Sequence, residues 1–210
     1  MEKINWLDFK GEKNSILEAY RTICANLQAT AGDNVKVIEI TSPTAHTDKS
    51  TVVAGLAITM AQAGKKVLVI DGDYFAPAQH VLFDLPNSGL TDGIASGKDL
   101  HALCQCCMEQ ENLNVLTNGM AKPVMGVLLE TEAVQQFLTA ACTEYDYVLV
   151  DMPSAETSAD VLVTAPKTDG VLLIVTSGED KLNALTETKA KLEKAGAKVL
   201  GCILDKAKVS

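Results

Sequence analysis

The sequence is poor in aromatic residues and contains no long apolar run. Of its 210 residues, 47% are hydrophobic but only 4% are Phe, Tyr or Trp, so the core must consist mainly of Val, Ile, Leu and Ala. No stretch approaches the roughly 18 apolar residues of a transmembrane helix, and the first residues lack the basic and apolar parts of a signal peptide. We therefore expect one compact cytoplasmic domain over residues 1–210, with an N-terminal arm and helix over residues 1–30.

Basic residues are also scarce relative to acidic ones. The chain has 27 Asp and Glu against 18 Lys and Arg, a formal net charge of −9. This charge disfavours nonspecific binding to DNA or to an anionic membrane surface. We expect neither a nucleic-acid partner nor direct insertion into a membrane.

Apolar strand-like runs alternate along the chain with helix-like segments. Strands are predicted at residues 35–40, 65–71, 113–119, 146–153, 170–176 and 198–205. Helices are predicted at residues 15–29, 50–64, 124–145 and 181–196, with mostly irregular structure and short helical pieces at 74–111. This alternation predicts a three-layer α/β fold, in which helices cover both faces of a mainly parallel sheet and ligands bind at the carboxyl ends of the strands.

A loop that resembles a phosphate-binding P-loop lies between the first core strand and the following helix. Its sequence, at residues 41–51, is TSPTAHTDKST. Lys49, Ser50 and Thr51 match the lysine and hydroxyls that contact phosphates and Mg²⁺ in the motif G-x-x-x-x-G-K-[ST]. The distal half of a nucleotide site is therefore present in the sequence.

The glycines of that motif are missing. Pro43 stands at the first glycine position and has no N–H to donate, and Asp48 stands at the last one. A carboxylate about 4 Å from a phosphate charge costs on the order of 4 kcal/mol at an effective dielectric constant of about 20. Alternatively, Asp48 is expected to cap the helix, with its carboxylate on the N–H groups that would otherwise bind phosphate.

Three aspartates follow predicted strands: Asp71, Asp73 and Asp151. Carboxyl ends of parallel strands meet at one edge of a sheet, so we expect these acids beside the P-loop. A single Asp at a strand end is usually a cap or a solvated group. Three acids around a Lys-Ser-Thr sequence favour a site for Mg²⁺ and for orienting a nucleophile.

Four further segments resemble, in order, the cytoplasmic domains of bacterial tyrosine kinases of capsular and exopolysaccharide synthesis, which are relatives of the MinD and ParA ATPases. They are EAYRTICANL at 18–27, the second strand and its sequel at 66–94, YVLVDMPSAETSAD at 147–160, and AGAKVLGCILDK at 195–206. The resemblance covers nearly the whole chain. It implies a P-loop NTPase-like fold and a membrane adaptor or polysaccharide chain-length protein as the partner, expected here as a separate chain that recruits this one to the inner face of the membrane.

The resemblance also implies roles for the site residues. Lys49 and Thr51 would contact the phosphates of ATP, and Ser50 would serve both the nucleotide and Mg²⁺. Asp151 would also serve the metal. Asp71 and Asp73 would be the catalytic carboxylates, which organise the metal and accept the proton of a tyrosine hydroxyl.

Several departures from the family pattern fall on functional positions. Cys24 replaces the last arginine of the E-x-x-R-x-x-R helix, which weakens the motif for homo-oligomeric assembly, and Phe75 and Ala76 stand where an arginine is usual. Asp205 replaces an asparagine expected to bind the nucleotide near its base. The family's segment P-G-E-G-K-S-T is A-H-T-D-K-S-T here, so His46 and Asp48 replace the two glycines of that segment. The tyrosine-rich tail is absent from residues 206–210.

These departures lead to three hypotheses about function. The leading one is a regulatory tyrosine-kinase-like domain with impaired binding of ATP and Mg²⁺ and impaired catalysis. The alternative is an active Mg-ATP-dependent protein tyrosine kinase with an unusual loop. A positioning ATPase of the MinD or ParA type is less well supported, because the chain has no terminal amphipathic helix and no basic patch.

A second cluster of chemically active side chains has the pattern H-x-x-C-x-C-C. It comprises His101, Cys104, Cys106 and Cys107. The spacing lacks the separated ligand pairs of a structural zinc site, so free thiols on a helix or loop are favoured over a metal site. All six cysteines are expected to be reduced.

Overall fold

The computed structural model describes residues 2–9, 15–32, 34–45, 47–120 and 131–206. The strands are β1 Val37–Thr41, β2 Val67–Asp71, β3 Gln105–Cys107, β4 Gln110–Leu116, β5 Tyr147–Asp151, β6 Gly170–Thr176 and β7 Val199–Asp205. They form one sheet in the order β3-β4-β2-β5-β1-β6-β7. All neighbours pair in parallel except β3 and β4, which are antiparallel. The predicted mainly parallel sheet is confirmed.

Helices connect most of these strands. They are α1 Ser15–Ala31, α2 Lys49–Gln62, α3 Gln79–Leu82, α4 Leu90–Ser96, α5 Glu132–Glu144, α6 Asp160–Thr164 and α7 Leu182–Lys194. Short 3-10 turns lie at Trp6–Phe9, His101–Leu103 and Ala165–Lys167. Within the described ranges, no helix combines the length and hydrophobicity that crossing a bilayer requires.

Side-chain alternation along the strands produces two hydrophobic cores. In β2, Val67 and Val69 join the core beneath α1, α2 and α3, whereas Leu68 and Ile70 join the core beneath α4, α5, α6 and α7. Successive side chains of a strand point to opposite faces, so a strand buried on both faces is apolar throughout. The predicted three-layer arrangement is confirmed.

The N-terminal arm lies against the first of these cores. The Trp6 and Phe83 ring centroids are 6.4 Å apart, and the Ile4 N–H donates to the carbonyl of Leu82 at 3.0 Å. Helix α1 then crosses α2 where Tyr20 covers Gly55, so closely that a Cβ at Gly55 would overlap the tyrosine ring. The arm and α1 thus cover the helix that follows the P-loop.

The irregular region differs most from the sequence-based expectation. Strand β4 begins at Gln110, three residues before the predicted strand, and neither β3 nor α6 was predicted. The prediction that Cys106 and Cys107 lie on a helix or loop was wrong, because both belong to β3. Of the helix predicted over residues 124–145, the first part falls outside the described residues and the remainder is α5.

Candidate functional site

The candidate site lies where the two acid-bearing strands flank one another beside the P-loop. Asp71 at the end of β2 is directly opposite Asp151 at the end of β5, and Ile40 of β1 is opposite Asp151 on its other side. The loop after β1 leads into α2, whose first residue is Lys49. The three neighbouring strands therefore bring together residues more than 100 positions apart.

Lys49 is enclosed by two of the predicted acids. Its Nζ lies 2.5 Å from Asp151 Oδ1 and 3.4 Å from Asp73 Oδ2, and the residue is only 5% exposed. Burial alone would lower the pKa of Lys49, but the carboxylates of Asp151 and Asp73 outweigh it, so the pKa lies above its ordinary value. The lysine is a buried cation already neutralised by the chain.

Asp71 lies beside Asp151 on the neighbouring strand and is completely buried. Its Oδ2 accepts the backbone N–H groups of Ala78 at 3.0 Å and Gln79 at 2.9 Å, and its Oδ1 accepts that of Asp73 at 3.3 Å. Burial, followed by the neighbouring charge of Asp151, raises the pKa of Asp71. In this arrangement Asp71 fixes the start of α3.

Gly72 allows the turn between Asp71 and Asp73, just after β2, to pass close to β5. Its N–H donates to the carbonyl of Asp151 at 2.8 Å, and a Cβ there would lie 2.7 Å from Met152 Sδ. Past this turn, Asp73 Oδ1 accepts the N–H groups of Phe75 and Ala76 at 3.1 and 3.0 Å. The other oxygen of Asp73 is left to face Lys49.

A cleft of about 190 Å³ opens onto Lys49 and the acid beside it, Asp73. Lys49, Ser50 and Asp73 line it, together with the largely exposed ring of Phe75. Thr51 is exposed and lines a neighbouring cleft beside the N-terminal arm. Asp205 ends the edge strand β7 and is not part of the lining. The nucleotide-binding roles of these residues stay predictions.

The expected capping role of Asp48 was wrong. Asp48 is the N-cap residue of α2, but its side chain makes no capping hydrogen bond. Its carboxylate lies 2.9 Å from Lys206 Nζ, where both side chains are about half exposed. With φ at −78°, the Asp48 backbone does not need glycine. Lys206, which follows β7, is thus the partner of this carboxylate.

A different acid contacts the P-loop. Glu156, which follows β5, has its Oε2 3.2 Å from the backbone N–H of Ala45. The sequence offered only a weak signal for this contact, an acid five residues after Asp151. His46, the other glycine replacement, lies outside the described residues. A carboxylate of the chain therefore accepts one backbone N–H of the loop.

Gln79 is a site residue that sequence reasoning missed. Its Nε2 donates to Asp151 Oδ2 at 2.8 Å and to the Ser50 carbonyl at 3.1 Å, and the residue is fully buried. No motif or periodicity marks it, because it lies in a four-residue helix within the irregular region. It links the second strand, the P-loop helix and Asp151.

The cysteine cluster lies at the far edge of the sheet. Burial raises the pKa of Cys104 to about 12 and that of Cys107 to about 11. Metal ligation needs thiolates, so these thiols are poor candidates for it. The His101 ring packs edge-on against Phe137, with ring centroids 4.8 Å apart.

A parallel sheet, a loop leading to a buried lysine at a helix start, and acids at adjacent strand ends together define a P-loop nucleotide-binding domain. Comparison with family models agrees: the model described as "ParA: NUBPL iron-transfer P-loop NTPase" matches residues 34–207. The fold class is therefore that of this family.

Similarity to individual proteins identifies the branch of the P-loop family to which the chain belongs. The chain is 34% identical to tyrosine-protein kinase YwqD of Bacillus subtilis over 195 residues, which are 92% of this chain and 82% of the relative. It superposes on the chimerical protein CapA2B2 with a TM-score of 0.89 and 31% identity, covering 100% of this chain and 93% of the other. The kinase domain of Escherichia coli tyrosine kinase ETK gives a TM-score of 0.89 at 26% identity, covering 100% and 84%. The chain belongs to the family of bacterial tyrosine kinases among the ParA-type P-loop NTPases.

Proposed function

We propose that this chain is a regulatory tyrosine-kinase-like domain of capsular or exopolysaccharide synthesis or export, with weak binding of Mg-ATP and strongly reduced phosphate transfer. It acts in the cytoplasm and is recruited to the membrane by an adaptor or chain-length protein. The relatives named tyrosine kinases support the family role. The arrangement of charges in the cleft supports the reduced activity.

The main support for this proposal is that carboxylates of the chain itself already engage the groups expected to bind phosphate. Lys49 is held by Asp151 and Asp73, and the Ala45 N–H is held by Glu156. An incoming phosphate must displace these carboxylates and is repelled by them until it does. Pro43 supplies no N–H to compensate.

The residues present fit Mg²⁺ better than they fit the phosphates. Mg²⁺ prefers oxygen ligands, of which Ser50 supplies a hydroxyl and Asp151 a carboxylate, with the expected metal-organising Asp71 beside Asp151. When bound, Mg-ATP would supply the transferable phosphoryl group and the neutralising metal charge. Lys49 would hold phosphate oxygens, and Asp73 would accept the proton of a tyrosine hydroxyl.

One observation favours the alternative of an active kinase. Asp48, the most damaging replacement in the sequence, faces Lys206 rather than the cleft. Without that carboxylate in the phosphate position, Lys49 and the acids form a nearly complete site. The two hypotheses differ in how tightly Mg-ATP binds.

Calorimetric titration with Mg-ATP separates them. We expect weak, millimolar binding by the unchanged chain and about fivefold tighter binding by Glu156→Gln, because an exposed charged contact is worth up to about 1 kcal/mol. Asp48→Gly should change affinity little, since that carboxylate already faces Lys206. Lys49→Met should abolish binding, and Glu187→Gln, a change at an exposed glutamate on α7, serves as the matched control.

Phosphate transfer to a tyrosine-rich tail of a partner is measured on the same variants. Submillimolar binding together with Mg-dependent transfer by the unchanged chain would establish the active kinase instead. Tighter binding by Glu156→Gln without transfer agrees with a nucleotide-responsive regulatory domain.

A further inference from the structure

The amide of Gln79 joins two parts of the site that no motif connects. Its Nε2 has two acceptors, Asp151 Oδ2 at 2.8 Å and the Ser50 carbonyl at 3.1 Å. The reverse amide orientation would place an oxygen against both, so these contacts fix which end faces them. Both hydrogens of the amide are thereby committed to the site.

The backbone of Gln79 is fixed as firmly as its side chain. Asp71 Oδ2 accepts the N–H groups of Ala78 and Gln79, which sets the start of α3. The residue is completely buried, and its Oε1 has no hydrogen-bond partner among the described residues. Leaving a buried amide oxygen unpaired is unfavourable. Its position is maintained by the two contacts that Nε2 makes.

We propose that Gln79 is a positioning residue: it holds Oδ2 of Asp151, so that Oδ1 is the oxygen that faces Lys49 and that would face a bound Mg²⁺ ion. Asp71 stands behind it and sets its position through the backbone. The metal part of this inference rests on the proposed nucleotide site. The part about the orientation of Asp151 does not depend on that site, because the contact with Gln79 is present in the nucleotide-free chain.

The first test is a crystal structure of nucleotide-free Gln79→Leu, which keeps the volume and removes the amide. Without its donor, the Asp151 carboxylate should rotate and lose the 2.5 Å contact between Lys49 Nζ and Oδ1. An unrotated carboxylate would overturn the proposal. Gln79→Met, which is more flexible, provides the same test if the leucine variant does not fold.

The second test compares ADP binding in Mg²⁺ with ADP binding in EDTA. In Gln79→Leu, the gain in ADP affinity that Mg²⁺ provides should be about tenfold smaller, since one charge-assisted hydrogen bond has this order of magnitude. The affinity for ADP in EDTA should not change. Gln62→Leu is the matched control, because Gln62 donates to the Phe9 carbonyl outside the site. Equal losses with and without Mg²⁺ would indicate a merely structural role and refute the proposal.

Failure of the proposed function gives a different result. If the unchanged chain binds no ADP under either condition, nucleotide binding is refuted, and the crystal structure still decides whether Gln79 orients Asp151.

Discussion

Glu39 is a fully buried acid in the middle of the central strand β1. Its Oε2 accepts a hydrogen bond from the Thr164 hydroxyl, whereas Oε1 has no partner among the described residues. Burial raises its pKa from 4.5 to about 8, although the hydrogen bond from Thr164 opposes this. The folded chain therefore keeps this carboxyl protonated over a range in which the unfolded chain releases the proton.

The buried carboxyl predicts that stability falls with rising pH. Because the folded pKa is the higher one, the contribution is fully present below pH 4.5 and is lost as pH rises through about 8. Across this window the free energy of unfolding should fall by about 1.4 kcal/mol per pH unit from this group. Urea unfolding of Glu39→Gln between pH 5 and 8 should show a shallower slope than the unchanged chain; the part that the raised pKa of Asp71 contributes should remain. Glu187→Gln should keep the full slope, and an equal slope in both variants would contradict the assignment.

At the level of residues, the individual contacts within the site were the hardest feature to predict from the sequence. The sequence identified Lys49 and the acids beside it, because their types and order are local. It did not identify the partner of Asp48, since Lys206 is 158 residues further along the chain and only the fold brings it near. Gln79 and Glu156 were missed for the same reason: their roles depend on which strands are neighbours.

At the level of elements, the packing of α1 on α2 depends on one residue without a side chain. Gly55 lies directly under Tyr20. Alanine favours helix by about 1 kcal/mol over glycine, but the added Cβ would collide with the ring. We expect Gly55→Ala to lower the free energy of unfolding by about 1–3 kcal/mol, the usual cost of overpacking.

Urea unfolding of the variant alone and in a Tyr20→Leu background tests this packing. Removing the ring should make the alanine harmless or favourable. Stabilisation by Gly55→Ala with Tyr20 still present would show that α1 moves aside at little cost.

The strands that build the site were predictable, and the surrounding short elements were not. Runs such as VLVID in β2 are apolar on both faces, a pattern that parallel strands between two helix layers must have. In contrast, β3 has three residues and a register shift between Cys106 and Cys107. Helix α6 has five residues. Elements this short contain little more than one period of a helical or strand pattern, which is too few residues for the pattern to be recognised.

At the scale of the whole molecule, charge and α1 together predict weak self-association. Arg21 is bound to Glu18 of its own helix at 2.5 Å, and Cys24 packs against the core where the family pattern has an arginine. A net charge of −9 adds repulsion between copies. Sedimentation velocity at micromolar concentration should give a single species of about the monomer mass, 22.3 kDa. An oligomer that persists in high salt would contradict this.

The pairing of Asp71 with Asp151 limits the insertions and deletions that this sequence can accept in evolution. An insertion or deletion of one residue within β2 or β5 would turn one acid to the opposite face and, in the same event, move the other side chains of that strand from one core to the other, where they do not fit. Selection for folding alone therefore preserves the spacing of the acids even after their chemistry has ceased to matter. The P-loop has no such protection, because a single substitution there, at Pro43 or Asp48 for example, leaves the register of the sheet unchanged.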